Sequence, residues 1–239
     1  MLKTLWQRNC VAVAVILVTA LPSVAVADCV VLLHGLARTS AAMKPLKKAF
    51  ESSGHQVVNV NYPSRKKTVE ELAPLAVKQL GHSQCQTDSR IHFVTHSMGG
   101  ILVRYYLQNN KVPSLGRVVM LAPPNQGSQV VDKLKNVPGY KLIKGVAGMQ
   151  LGTDANSIPT QLGPVDFELG IIAGTRTFNP GLSQLLPNPD DGKVSVENTK
   201  VDGMDDFLQL PVTHTFMMRS KKVIRQVIHF IDHGSFKSI

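Results

Sequence analysis

Apolar residues in this chain alternate between short unbroken blocks and longer stretches with helical spacing. Val30-Val31-Leu32-Leu33 is the clearest block, and Gln56 to Val60, Ile91 to Thr95, Arg117 to Leu121 and Leu169 to Ala173 read the same way. Continuous apolar runs of this length predict strands buried on both faces, as parallel sheets require. Between them, Met43, Leu46, Lys47 and Phe50 give an apolar stripe closed by Gly54. Thr68 and Glu71 have capping-box spacing ahead of Val69, Leu72, Ala76 and Leu80, with Pro74 expected to kink that helix. Phe207 to Val212 predicts a late strand that Pro211 confines to a sheet edge, and Val223, Ile224, Val227, Ile228 and Ile231 predict a final helix ending at Gly234. Strands and helices in alternation predict one α/β domain, a mostly parallel sheet flanked by helices.

One junction carries more than structure. Phe93-Val94-Thr95-His96-Ser97-Met98-Gly99-Gly100 runs from a strand through a tight turn into a helix. A serine hydroxyl is a weak nucleophile until a base takes its proton, so it must stand clear of the backbone within reach of a histidine. A sharp turn with serine at its apex does this, and the layout resembles the nucleophile elbow of α/β-hydrolases. Thr95 stands where the G-x-S-x-G pattern has its first glycine, and its Cβ is expected to crowd the turn.

The other parts of such a site belong on loops at the carboxyl ends of the strands. His34-Gly35-Leu36 closes the first strand, where Leu36 would supply one oxyanion-binding amide and Met98 the other, while His34 takes no proton-transfer role. His214 follows the last expected strand and is the candidate base. The orienting carboxylate should precede it in chain order, and Asp191 meets that condition, with Asp190 as rival and Asp202, Asp205 and Asp206 as weaker ones.

His34-Gly35-Leu36, the Thr-His-Ser-Met-Gly-Gly elbow, Asp191-Gly192 and His214 together resemble bacterial lipases and esterases of the α/β-hydrolase superfamily. Pro123 to Ser128 is similar to their Pro-x-x-Gly-Ser loop, and the match extends over most of the chain. The resemblance favours Asp191 over Asp190. It implies hydrolysis of small-molecule or lipid esters through an acyl-enzyme, with no cofactor. Many of these lipases hold calcium through an aspartate two residues after the histidine, but Phe216 stands there, so no metal site is expected. His92 and His96, four apart on a strand, would lie about 13 Å from each other and cannot share an ion. Residues 123–166, rich in glycine and aliphatic side chains, occupy the place of a cap, either a mobile lid over an acyl pocket or packed helices. An acyltransferase using the same residues, or a non-catalytic binding protein on this scaffold, are the competing readings.

Composition narrows the setting. Residues 1–27 combine Lys3 and Arg8, the apolar run Cys10 to Leu21 and the small-x-small triplet Ala25-Val26-Ala27. That predicts a cleaved signal peptide, leaving a domain over residues 28–239 that is exported to the periplasm or secreted. Cys29 and Cys85 then remain, an even pair permissive for a disulfide between neighbouring strand starts. The formal net charge of +10 includes clusters at Arg65-Lys66-Lys67 and at Arg219, Lys221, Lys222 and Arg225. No nucleic-acid module surrounds them, so the chain predicts solvated faces with attraction to anionic membrane and no nucleic-acid partner. Oligomeric state is not legible.

Overall fold

Six of the apolar runs form one sheet. The computed structural model describes residues 27–79, 85 and 89–238. The expected leader, apart from Ala27, and the Leu80 position lie outside them. The strands are β1 (Cys29–Leu33), β2 (Gln56–Val60), β3 (Ile91–His96), β4 (Leu115–Leu121), β5 (Leu169–Gly174) and β6 (Asp206–Leu210). They pair in parallel throughout, in the order β2-β1-β3-β4-β5-β6. Alternation along each strand divides the core. Val31, Leu33 and Phe93 face one side, packed with α2 (Val69–Lys78) and α3 (Met98–Asn109). Val30, Leu32 and Val94 face the other, with α1 (Lys44–Ser52) and α9 (Lys221–His233).

The local signals act as their chemistry dictates. The Thr68 hydroxyl accepts from the Glu71 amide at 3.4 Å while the Glu71 carboxylate accepts from the Thr68 amide at 3.0 Å, completing the capping box. The helix runs through Pro74 as one element, Val69–Lys78. Ser220 caps α9 and Gly234 ends it in a left-handed conformation. Strand limits differ from expectation by one or two residues, as where β4 begins at Leu115 rather than Arg117, β3 ends at His96 and β5 at Gly174. Strand β6 is at the sheet edge but stops at Leu210, because Pro211 offers no N–H to continue the ladder.

Cys29, which opens β1, is joined to Cys85 with Cα atoms 5.8 Å apart, inside the range a disulfide needs. A sequence separation of 56 residues gives the bond about 4 kcal/mol of stabilisation in the chain-entropy view. It sits at the amino ends of the strands. The Ser97 turn lies at the opposite, carboxyl ends.

Between β4 and β5 the chain forms three helices, α4 (Gln129–Leu134), α5 (Tyr140–Met149) and α6 (Ile158–Gln161). Val131, Ala147, Leu151 and Ile158 from this segment join the core. Leu142 and Ile143 do not, at 85% and 61% exposed. The segment is thus packed beneath and bare above. Helix α5 breaks at Gly145, whose φ of 72° is left-handed, and the Val146 amide there donates to the Arg65 carbonyl at 3.2 Å. Two further short helices, α7 (Pro180–Ser183) and α8 (Val196–Thr199), flank the Asp190–Asp191 turn.

Candidate active site

Ser97 stands at the apex between β3 and α3 with φ 53° and ψ −124°, a conformation that side chains avoid unless the surroundings hold it. Its own amide donates to the Leu121 carbonyl at 2.8 Å, and its carbonyl accepts from the Gly100 amide at 3.0 Å. The close approaches fall on glycine. A Cβ on Gly99 would lie 2.8 Å from the Leu33 carbonyl oxygen, and one on Gly35 would lie 2.8 Å from His96 Nδ1 and 3.1 Å from Ser97 Cβ. Thr95 escapes the crowding expected of it because it belongs to the strand, paired with Leu33 and Met120, before the chain turns. Its buried hydroxyl has no partner among the described residues.

His214 lies in the loop after β6, almost completely buried. Its Nδ1 is 2.7 Å from Asp191 Oδ2. A carboxylate only accepts, so Nδ1 carries a proton, which selects the tautomer whose Nε2 can act as acceptor. Asp191 is itself held: its Oδ1 accepts from the amides of Lys193 at 3.0 Å and Val194 at 2.9 Å. The His214 amide donates to the Asp191 carbonyl at 3.1 Å, locking the two loops together. Gly192 makes the turn with φ 95°. Asp190, the rival acid, is occupied elsewhere, accepting from the Gly192 amide at 2.6 Å and from the Ser183 hydroxyl. Asp202, Asp205 and Asp206 are engaged near β5 and β6 or exposed, away from the imidazole.

Two supporting histidines are structural. His96 Nε2 lies 3.0 Å from the His214 carbonyl, which can only accept, so His96 is protonated there. Burial, reinforced by the neighbouring His214, holds its pKa well below the ordinary imidazole value and keeps it neutral. His34 stacks on Tyr62 with ring centres 4.0 Å apart, and the Tyr62 hydroxyl donates to the His34 carbonyl. Burial lowers the His34 pKa as well. That stack fixes the peptide leading into Gly35 and Leu36.

Ser97, His214 and Leu36 line one cavity of about 80 Å³, with Val130, Val131 and Leu151 from the 123–166 segment. Met98 itself is buried as the first residue of α3, so its amide points out of the helix at the serine turn. Neither the Leu36 nor the Met98 amide has a backbone acceptor among the described residues. Sequence reasoning did not select Arg38, Tyr140, Lys144, Leu182 and Lys193, which line the same cavity. Lys193 had a visible signal, since it directly follows Asp191-Gly192; Lys144 had none, because its place depends on the break at Gly145. Ser128 of the Pro-x-x-Gly-Ser loop donates to the Lys193 carbonyl at 2.7 Å, tying that loop to the acid turn. Phe216 is exposed and meets Phe178, itself 66% exposed, edge to face at 5.1 Å.

A wholly parallel sheet with helices on both faces and a strained serine turn at its carboxyl edge defines an α/β-hydrolase fold. Within that class the chain belongs to the palmitoyl protein thioesterase family, whose model matches residues 29–159. Solved structures share the fold. Bacillus licheniformis lipase BlEst2 in its mature form is 18% identical, with 89% of this chain and 94% of that one covered and a TM-score of 0.64. Aspergillus fumigatus lipase B is 14% identical over 87% of this chain and 53% of its own, with a TM-score of 0.63. The metagenomic carboxyl esterase MGS0156 is 16% identical over 80% and 65%, with a TM-score of 0.61. No curated protein matches the sequence.

Proposed function

We propose that this protein is a serine hydrolase that cleaves carboxylic esters or thioesters of acyl groups through Ser97, His214 and Asp191. The observation that carries the reading is the strained Ser97 turn opening on the same cavity as His214, whose Nδ1 lies 2.7 Å from Asp191. His214 Nε2 takes the Ser97 proton as the hydroxyl oxygen attacks the carbonyl carbon. The carbonyl oxygen becomes an oxyanion, received by the Leu36 and Met98 amides at about 3 kcal/mol per donor. His214 then gives the proton to the leaving alcohol or thiol, and an acyl-serine remains. Water attacks it by the same route, its proton passing through His214 to Ser97, and a carboxylic acid leaves.

Acyl length and setting belong to the same proposal. A cavity of about 80 Å³ is far below the roughly 300–1,000 Å³ of sites that engulf a ligand, so a long chain emerges over the rim. Exposed apolar side chains available to it are Leu142 and Ile143 on α5, the helix that gives Tyr140 and Lys144 to the cavity, and Phe178 and Phe216, close in sequence to the lining residues Leu182 and His214. Arg65 and Lys66, exposed beside the break in α5, add positive charge facing anionic membrane. The Cys29–Cys85 bond and the leader-like first 27 residues support export to an oxidising compartment.

The test is hydrolysis of acyl esters and thioesters of graded chain length by the mature protein beside Ser97→Ala. Wild type is expected to turn over and to label with a fluorophosphonate probe, and the variant to do neither while keeping the wild-type circular dichroism. Equal hydrolysis by the folded variant would sink the proposal.

A further inference from the structure

The cavity that holds Ser97 and His214 is also lined by three cationic side chains and by no acidic one. Arg38 comes from the turn after β1, Lys144 from α5 and Lys193 from the acid turn, so three separate elements converge on one space. None of the three takes part in an ion pair among the described residues. Asp191, the acid beside Lys193, is spent on His214 and two backbone amides. All three cations are partly buried, whereas most of the other described lysines and arginines reach open solvent or an acid. Half-buried like charges without a counter-ion are unfavourable. Burial first, then Lys144 and Arg38, pull the Lys193 pKa down to about 8, and burial lowers that of Lys144 too. A site that concentrates this cost beside a nucleophile is complementary to a negative charge brought by a ligand.

We propose that Arg38, Lys144 and Lys193 form an anion-binding subsite that selects esters carrying a phosphate or carboxylate close to the scissile bond. The inference rests on the ester-hydrolase reading and names the substrate class of that site. The aliphatic wall of Leu36, Val130, Val131 and Leu151 takes the first carbons of the acyl chain, and the cations take the charged part of the leaving alcohol. Lys144 rides on the ring of Tyr140, its ammonium 5.8 Å from the ring centre, which orients it without neutralising it. Lys193 is placed by its own backbone, whose amide and carbonyl are both bonded.

Two matched substrate pairs test this: 1-butyrylglycerol against 1-butyrylglycerol 3-phosphate in solution, and 1-oleoylglycerol against its 3-phosphate in mixed micelles. Wild type is expected to favour the phosphate in both pairs by about tenfold in kcat/KM, the worth of one charge-assisted hydrogen bond. Lys144→Met/Lys193→Met should bring that ratio near one, and Lys144→Arg/Lys193→Arg should keep most of it, with thermal melts confirming that both fold. A ratio near one for wild type in both pairs overturns the subsite while leaving the hydrolase reading intact. Preference confined to the micellar pair overturns it too, assigning the charge to lipid surfaces. Equal losses on neutral and charged esters in the Met variant also overturn it, because the lysines would then serve the oxyanion. If wild type cleaves no ester and Ser97 takes no fluorophosphonate label, it is the hydrolase reading that falls.

Discussion

The floor and the roof of the cavity are built on opposite terms. The floor consists of the end of β1, the Ser97 turn and the start of α3, where carbonyls and rings approach so closely that two positions admit only glycine. The roof is α5 with the loops carrying Phe178 and Phe216, where large apolar side chains face solvent and one helix is broken at Gly145. A bond-forming step needs atoms held to a fraction of an ångström, while receiving varied chains needs surface that nothing else has claimed. The contrast therefore separates residues expected to set the rate on every substrate from those expected to set which substrate is used.

Substitutions can break that division. The largest effect is expected at Asp191→Asn, which keeps the shape but lets His214 take the wrong tautomer; kcat should fall on the order of 10⁴-fold on neutral and charged esters alike. Gly35→Ala comes next, since its Cβ would lie 2.8 Å from His96 Nδ1 and press on Ser97. An ångström of displacement costs about 100-fold in rate, and the loss should again be the same for short and long acyl chains. On the roof, Leu142→Asp/Ile143→Asp should leave butyrate esters within about twofold and lower micellar long-chain turnover by about tenfold. A roof variant that slows every substrate equally would erase the distinction.

Acid and base probe the same contrast more gently. Lys193, held near 8 by burial, Lys144 and Arg38 and opposed by Asp191, loses its charge as pH rises. A phosphate ester stays dianionic above about pH 7, so the phosphate preference should decline between about pH 7 and 9 while neutral-ester turnover does not follow it. The floor responds at the other end. His34 and His96 there, and His92 at the opposite, amino end of β3, are buried with pKa values lowered chiefly by desolvation, so the unfolded chain binds more protons than the folded one below the ordinary value of 6.5. Stability should therefore be unaffected by these groups above that pH and fall as pH drops below it, visible as a decreasing urea midpoint.

Much of the floor was legible in the sequence, and little of the roof. Strands β1 to β5, the capping box, the final helix and the Ser97 turn all announce themselves through local chemistry, because burial on both faces leaves an unmistakable apolar run. Asp191 and His214 were legible through chain order, and Asp190 was separable from Asp191 only by resemblance until the hydrogen bonds at the turn were visible. The end of β6 was missed by two residues because Val212 looks like strand and the missing Pro211 amide acts at a distance of one peptide. Helices α4 and α7 are only six and four residues long and α5 is interrupted by Gly145 and Gly148, so their period never accumulates. Arg38, Lys144 and Lys193 are far apart in sequence, and nothing local marks three cations as neighbours.

Lys193 shows how this site can change without being rebuilt. Its amide steadies Asp191 and its carbonyl receives Ser128, while its side chain reaches the cavity and has no hydrogen bond or ion pair among the described residues. On the proposed reading, main chain would serve the reaction and side chain would serve selection, at a single codon. A mutation there would swap the chemistry offered to the proposed ligand while Asp191 keeps its backbone supports, so substrate choice on this scaffold would be able to diverge one residue at a time through forms expected to remain active.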